Sequence, residues 1–481
     1  MTISSALSNA MTGLRAASRS SEVISANIAN AMTPGYGVRD LSLSSSQIGG
    51  VNIDGVVRNV DPSLLADYRL AEAAFNNASD RTRFLNDFEN ILGTPDEPES
   101  LSARLAEFEK TLITAASRPD ATERLQNVAD AARDMATLVN AASDDVQQSR
   151  SDADRKIASQ VDSLTTSLQN VKELNAQITC TLSTGGDPSA LLDNRQALVD
   201  SISAIVPVRQ VPRDNGQIAL YSTGGAILLD GGVAEIEFSS VNQVTSFMTL
   251  ENGGLSGLSV HGYPVRTDSE RGALGGGSLG AQFEIRDELG TQAQKKLDGF
   301  ARDLIERFQD PSVDPTLELG DAGLFTDGGM YFDAVNETGV SARLLLNPLA
   351  DERAGGDIWR IRDGMNAVSP GDVGDSRLLQ ALSDTLTRAR VPASGDFGAG
   401  AFSAANLVST FTSQIGSERG QADQKLSFAS AQFDELTQQI LSNGVDSDRE
   451  IQRLVIVEQS YAANVRIIEA ADEMLQEILR L

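Results

Sequence analysis

Side chains that commonly do bond chemistry are scarce in this sequence. Its 481 residues include one histidine, His261, and one cysteine, Cys180. A zinc site of the CxxC or HExxH type, or a nucleophile with an imidazole base, needs a clustering that these two cannot supply, and one cysteine excludes an internal disulfide. His261 stands in His261-Gly262-Tyr263-Pro264-Val265 with no serine or cysteine elbow beside it, so a surface or loop position is expected. Cys180 is expected as a small buried or half-buried side chain on a helix rather than a reactive thiol. Acids are plentiful: 67 Asp plus Glu against 39 Lys plus Arg give a net charge of −28. Two carboxylates flanking a sugar linkage could cut peptidoglycan. No pair here lies in an apolar, glycine-bounded motif, and most acids fall at solvated helix positions. Gly275-Gly276-Gly277-Ser278-Leu279-Gly280 has the glycines of a phosphate loop but not the Lys-Ser/Thr that should follow, so a flexible joint into the next helix is expected. No catalytic residue, metal site or cofactor is assigned. The acidic excess argues against nucleic acid as a partner. No run approaches the roughly 18 apolar residues of a membrane span, and the first twenty residues lack the basic start and apolar block of a cleaved secretory signal.

With so little for chemistry, the informative residues are those that build interfaces, and they concentrate at the two ends. Ile3, Leu7, Ala10, Leu14, Ala17, Ser21, Ile24 and Ile28 alternate steps of four and three, a heptad seam on a helix from about Ser4 to about Ala31. Thr33-Pro34-Gly35-Tyr36 then stops the helix, with glycine placed for the positive φ of a type II turn. Leu454, Val457, Tyr461, Asn464, Ile468, Ala471, Leu475 and Ile478 repeat the alternation on a helix from about Asp448 to about Leu479. Asn443-Gly444 fits the stop of the preceding helix, and Ser447 with Glu450 fits a capping box. Asn464, polar on an apolar seam, is expected to fix register at a cost in stability. Two such stripes, poor in aromatics, bury little area alone and are expected to pair with each other and with neighbouring copies, the ends being poorly ordered in a lone monomer.

The middle reads as helices, strands, then helices. Short strands are expected over about 39–60, then helices from about Asp61 to Gly93, Ser100 to Ala116 and Ala121 to Leu182. Between about Ile205 and Ala281 the pattern changes to alternating or short apolar runs punctuated by Gly and Asn-Gly. Helix resumes near Leu279, an irregular segment covers about 310–375 with Trp359 as a local core anchor, and another seam runs through Phe402 to Ser442. The fold class is mainly α with inserted β modules, nested in several domains. Residues 1–60 with 441–481 form a terminal coiled-coil pair. Residues 61–190 with 279–310 and 376–440 form a long-helix bundle, 191–278 an inserted β domain, and 311–375 a small irregular extension.

Ser4 to Arg39 closely resembles the amino-terminal signature of the flagellar rod, hook and hook-associated proteins, through Ala26-Asn27-Ile28-Ala29-Asn30 and Thr33-Pro34-Gly35-Tyr36. Leu191 to Ser203, Gly276 to Glu288 and Val457 to Leu481 are similar to the members of that axial family that join hook to filament. Gly37-Val38-Arg39 departs from the Ser-Arg that often follows the tyrosine. The resemblance implies an extracellular structural protein, cytoplasmic only until the flagellar type III apparatus exports it unfolded. It implies self-assembly in a ring, hook protein and hook-associated protein 3 as neighbours, and a cytoplasmic export chaperone. It also adds Asn27, Asn30, Pro34, Gly35 and Tyr36 to the seam residues as assembly candidates. The other readings are a hook or distal rod protein, which would share the amino-terminal motif, and an adhesin or binding module seated in the β insert.

Overall fold

The computed structural model describes residues 3–33, 35–47, 49–267 and 272–480. Both chain ends lie in one terminal module. Helix α1 (Ile3–Ala29) leads into an antiparallel hairpin, β1 (Val38–Ser45) and β2 (Val51–Asn59), and the last helix, α11 (Ser447–Arg480), returns along α1. Helices α2 (Pro62–Leu92), α3 (Leu101–Ser117), α4 (Thr122–Ser183) and α5 (Ser189–Ile205) then build the body. Local chemistry sets their ends. Asp61 caps α2 by accepting from the Ser63 and Leu64 amides, with Pro62 at the first helical position, and Ser100 caps α3.

An antiparallel sheet follows in the order β3 (Val208–Pro212), β4 (Ile218–Ser222), β5 (Ile227–Asp230), β6 (Gly232–Val233). A second joins β7 (Ile236–Glu237), β8 (Leu258–Val260) and β9 (Tyr263–Val265). The chain re-enters the body through α6 (Gly277–Glu284), a π-helical turn (Ile285–Leu289) and α7 (Gly290–Phe308). The extension carries the ladder of β10 (Phe325–Asp327) with β11 (Leu344–Leu346) and the short α8 (Arg360–Asp363). Helix α9 (Arg377–Thr387) and α10 (Ala404–Ser442) complete the body, α10 lying along α2.

Two apolar cores share the 62-residue α4. Its first half packs with α2, α3, α7, α9, α10 and the extension. Its second half, through Ile157, Val161, Leu164, Leu168 and Val171, backs both small sheets together with α5 and α6. A polar knot pins the insert to α4. Arg286, on the π turn and fully buried, donates to Asp154 (2.7 Å), to both Asp287 oxygens (2.8 and 2.9 Å) and to the Ser256 carbonyl (3.0 Å). Arg150, also fully buried, donates to the carbonyls of Arg286, Thr245 and Met248. Burial pulls its guanidinium down to about 10.

The fold is mainly helical with small inserted sheets. Several expectations need correction. Residues 191–205, placed with the β insert, are helical in α5, and the strands begin at Val208. The glycine run at 275–280 is a packed corner rather than a flexible joint: Gly277 has φ 60°, and a Cβ there would collide with the Ile205 carbonyl. Cys180 is exposed, because its side of α4 faces away from the sheet. Trp359 is only half-buried, under the Arg360 guanidinium, while Ile358 and Ile361 enter the core beside it. Ser447 and Glu450 do not form a capping box. Asp446 caps α11 through the amides of Asp448 and Arg449, which frees Glu450 for another partner.

Candidate functional site

That partner is Asn27. Near the end of α1 the Asn27 side chain is fully buried and all its hydrogen-bonding capacity is used. Its Nδ2 donates to the Arg39 carbonyl (2.8 Å) and to Glu450 Oε2 (3.0 Å). Its Oδ1 accepts from the Tyr36 hydroxyl (2.9 Å) and the Arg39 amide (3.1 Å). One amide thus ties α1, the turn after it, strand β1 and α11. Asn30 closes the helix end, donating to the Ala26 carbonyl and accepting from Thr33 Oγ1. The Tyr36 amide reaches the Thr33 carbonyl across the turn, with Gly35 at φ 76°. Burial raises the Tyr36 hydroxyl above its ordinary value, with the Arg39 guanidinium 4.8 Å from its ring opposing, so it stays protonated and donates. Pro34 lies outside the described residues.

The cluster continues into the body through one carboxylate. Asp193 on α5 accepts from the Gly37 amide (3.0 Å), Arg39 Nη2 (2.7 Å) and Arg58 Nε (2.7 Å). Arg58 also donates to Gln196. Arg453 bridges Glu450 (3.0 Å) and Asp40 (2.8 Å). Ser4 to Arg39 and Leu191 to Ser203, the stretches around Asn27 and Asp193, therefore meet at one point, where the terminal module is seated on the body. Charge-assisted bonds of this kind, half sheltered from water, contribute more than an exposed ion pair would.

Away from the cluster, the α1–α11 pair has a simple antiparallel register. Asn27 meets Glu450 and Gly13 meets Asn464, and both sums are 477. Gly13 lets the helices close: a Cβ there would lie 2.8 Å from the Asn464 amide group, whose Nδ2 donates to the Ser460 carbonyl. Of the predicted seam, Ile24 is buried with Ala10 and Ala17, and Ile3, Leu7, Leu14 and Ile28 are half-buried. On α11, Leu454, Val457, Asn464 and Ile468 are half-buried against α1, whereas Tyr461, Leu475 and Ile478 are exposed. The sequence reading missed Glu450 as a partner of Asn27, and missed Arg39, Arg58 and Asp193. It also missed a second apolar stripe on the outer side of α11, including Ile456 (62% exposed), Ile467 (46%) and Met474 (49%). The adjacent pairs Ile456-Val457 and Ile467-Ile468 signal it, since neighbours in a helix point about 100° apart.

The model of the flagellar hook-associated protein FlgK helical domain matches residues 85–311. That of the flagellar basal body rod FlgEFG protein C-terminal region matches 437–481, and that of the flagella basal body rod protein matches 7–36. Three flagellar family models thus fall on this chain, at both ends and across its middle. The two rod models fall on the terminal module's helices and the third on the body, and the Asn27–Asp193 cluster joins them. Flagellar hook-associated protein 1 of Salmonella typhimurium is 29% identical over 250 residues, 48% of this chain and 44% of that relative, so the match spans less than half its length. The protein of the same name from Bacillus subtilis is 22% identical over 94% of this chain and 93% of its own length. A solved structure titled as the flagellar hook junction protein FlgK from Burkholderia pseudomallei aligns with TM-score 0.44 and 19% identity, covering 55% of this chain and 47% of that one. Among the described residues no helix is long and apolar enough to cross a membrane.

Proposed function

We propose that this chain is a flagellar axial protein, a structural subunit of the junction between hook and filament. The observation that carries the reading is the terminal module: α1 and α11 form one antiparallel helix pair, locked by Asn27 and Glu450, whose outer apolar stripe is left uncovered among the described residues. Neighbouring copies cover that stripe in the assembly, so each subunit completes the next. The body supplies contacts outside this lining, and the small sheets project from it. Hook protein below, hook-associated protein 3 above and a cytoplasmic chaperone before export are the partners that fit this role. The location is extracellular, and the work is mechanical contact rather than bond chemistry. Full-length coverage of the Bacillus relative supports the junction reading over a hook or rod protein.

Immunogold labelling of detached flagella tests it. A narrow band at the hook–filament boundary is expected, and labelling along the whole hook would overturn the assignment. Deleting 205–270 separates the adhesin reading, which requires adhesion to be lost while assembly persists.

A further inference from the structure

Neither apolar core reaches the terminal module. One runs from Phe84 to Ala422 and the other from Ile157 to Phe283, and neither includes a side chain of α1, the hairpin or α11. Two stretches of backbone join module and body, 59–62 between β2 and α2 and 442–447 between α10 and α11. Beside them is a cavity of about 420 Å³, lined by Tyr36 and Val38 from the module and by Leu64, Leu65 and Ile440 from the body. Apolar side chains of the two parts therefore face a cavity at the joint, where a rigid junction would interdigitate them. Polar contacts between the parts converge on one turn of α5. One Asp193 oxygen accepts from the Gly37 amide and Arg58, the other accepts from Arg39, and Gln196 accepts from Arg58. The Asp193 and Arg58 side chains are 14% exposed and that of Arg39 17%, sheltered enough for these bonds to fix one orientation.

We propose that Asp193 is a latch, and that the terminal module is a rigid arm which swings on the body about 59–62 and 442–447 when the latch opens. Arg39 stands where the two meet. Its backbone amide and carbonyl bond Asn27 inside the arm, while its side chain bonds Asp193 across the joint. Opening the latch therefore leaves the Asn27 hub and the α1–α11 pair intact. It tears no apolar core, hydrates one carboxylate and two guanidiniums, and costs far less than unfolding either part. Seated and released states are then the two arrangements of a hinge. On the assembly role above, the arm keeps its place in a lining of like helices while the body tilts toward a neighbour of different shape, as a subunit between two unlike polymers must.

The test uses the purified full-length chain carrying Cys180→Ser, with spin labels on cysteines placed at exposed positions. Ser18→Cys with Thr166→Cys reads the distance from α1 to α4 across the joint, and Ser18→Cys with Glu469→Cys reads one inside the arm. A main seated distance across the joint is expected in the parent. Asp193→Arg, which sets a third guanidinium against Arg39 and Arg58, should raise the ratio of released to seated molecules by about tenfold or more. Asp193→Glu, which keeps the charge, should leave most of them seated. The distance between positions 18 and 469 should stay sharp in all three proteins. An unchanged distance across the joint in Asp193→Arg overturns the latch, as does equal release in Asp193→Glu. A broad distance inside the arm in any of the three overturns the rigid arm. Because these distances are read on the lone chain, they stand apart from immunogold labelling, which alone decides the junction assignment.

Discussion

Helices α4 and α11 have similar apolar patterning and opposite fates. Of the 62 residues of α4, 22 are buried within this chain, and of the 34 in α11 only Glu450 and Ala471 are. Yet α11 carries a full set of large apolar residues, from Ile451 to Leu479, many of them about half exposed. Helix α4 is covered by other segments of its own chain, so its stability is intramolecular. Helix α11 has one face on α1 and another left for other molecules. On the function proposed above, the difference assigns the roles: the body holds shape, and the terminal module keeps unsatisfied surface for assembly.

Removing residues 452–481 should break the comparison most sharply. Motility and junction assembly are expected to be lost, while the unfolding transition of the body stays within a few degrees of the wild type. A body that melted with the truncation would show that the two regions are one cooperative unit. Within the body, Arg286→Ala strands the fully buried Asp154 carboxylate; breaking such a buried pair costs about 3–5 kcal/mol, read as a shift of the denaturant midpoint. In the terminal module, Asn27→Asp removes both Nδ2 donors and sets a carboxylate against Glu450. A loss of about 2–4 kcal/mol is expected there, read as faster proteolysis of 447–480 with the body transition unchanged. Asp193→Asn should loosen the seat more gently, by about 1–2 kcal/mol, with cleavage appearing first near the hairpin at 38–59.

Much of this was legible beforehand, and the gaps have physical causes. Helix α4 was anticipated within a residue or so of each end, because its apolar seam is unbroken and Thr184-Gly185-Gly186 follows it. The signature asparagine is legible as an assembly candidate, but its role as a hub is not. Glu450 lies 423 positions away, and a carboxylate three residues after Ser447 also satisfies a local capping pattern. Asp193 lies within Leu191 to Ser203, yet in sequence an acid on a helix surface looks the same whether solvated or seated on two arginines. The outer stripe of α11 was hidden because a three-four template reports one face and stops. Periodicity identifies an apolar face, and only packing tells whether the chain itself covers it.

The smallest effect expected is a pH dependence confined to the body. Glu72 on α2 faces α5 close to where α10 stacks Phe433 on Phe75, and its Oε2 is buried without a hydrogen-bond partner. Burial, then the nearby Asp200 carboxylate, push Glu72 up to about 7, with Arg69 opposing. Burial and the same two acids hold Tyr68 at about 12. A carboxyl whose value is higher folded than unfolded binds its proton more tightly in the fold. Its stabilisation is therefore complete below about 4.5 and fades as pH rises through about 7. Glu72→Gln keeps the shape and removes the titration. The variant should match the wild type near pH 5 and exceed it near pH 8 by on the order of 1–2 kcal/mol, after allowance for partial access to solvent. Asp200, also raised by burial, keeps that part of its shift in both proteins, while its repulsion with Glu72 is lost in the variant and is part of the expected gap. Denaturant midpoints of the two proteins at the two pH values decide it: parallel curves would mean that Glu72 stays ionised, and a gap that opened below pH 5 instead would reverse the sign argued here.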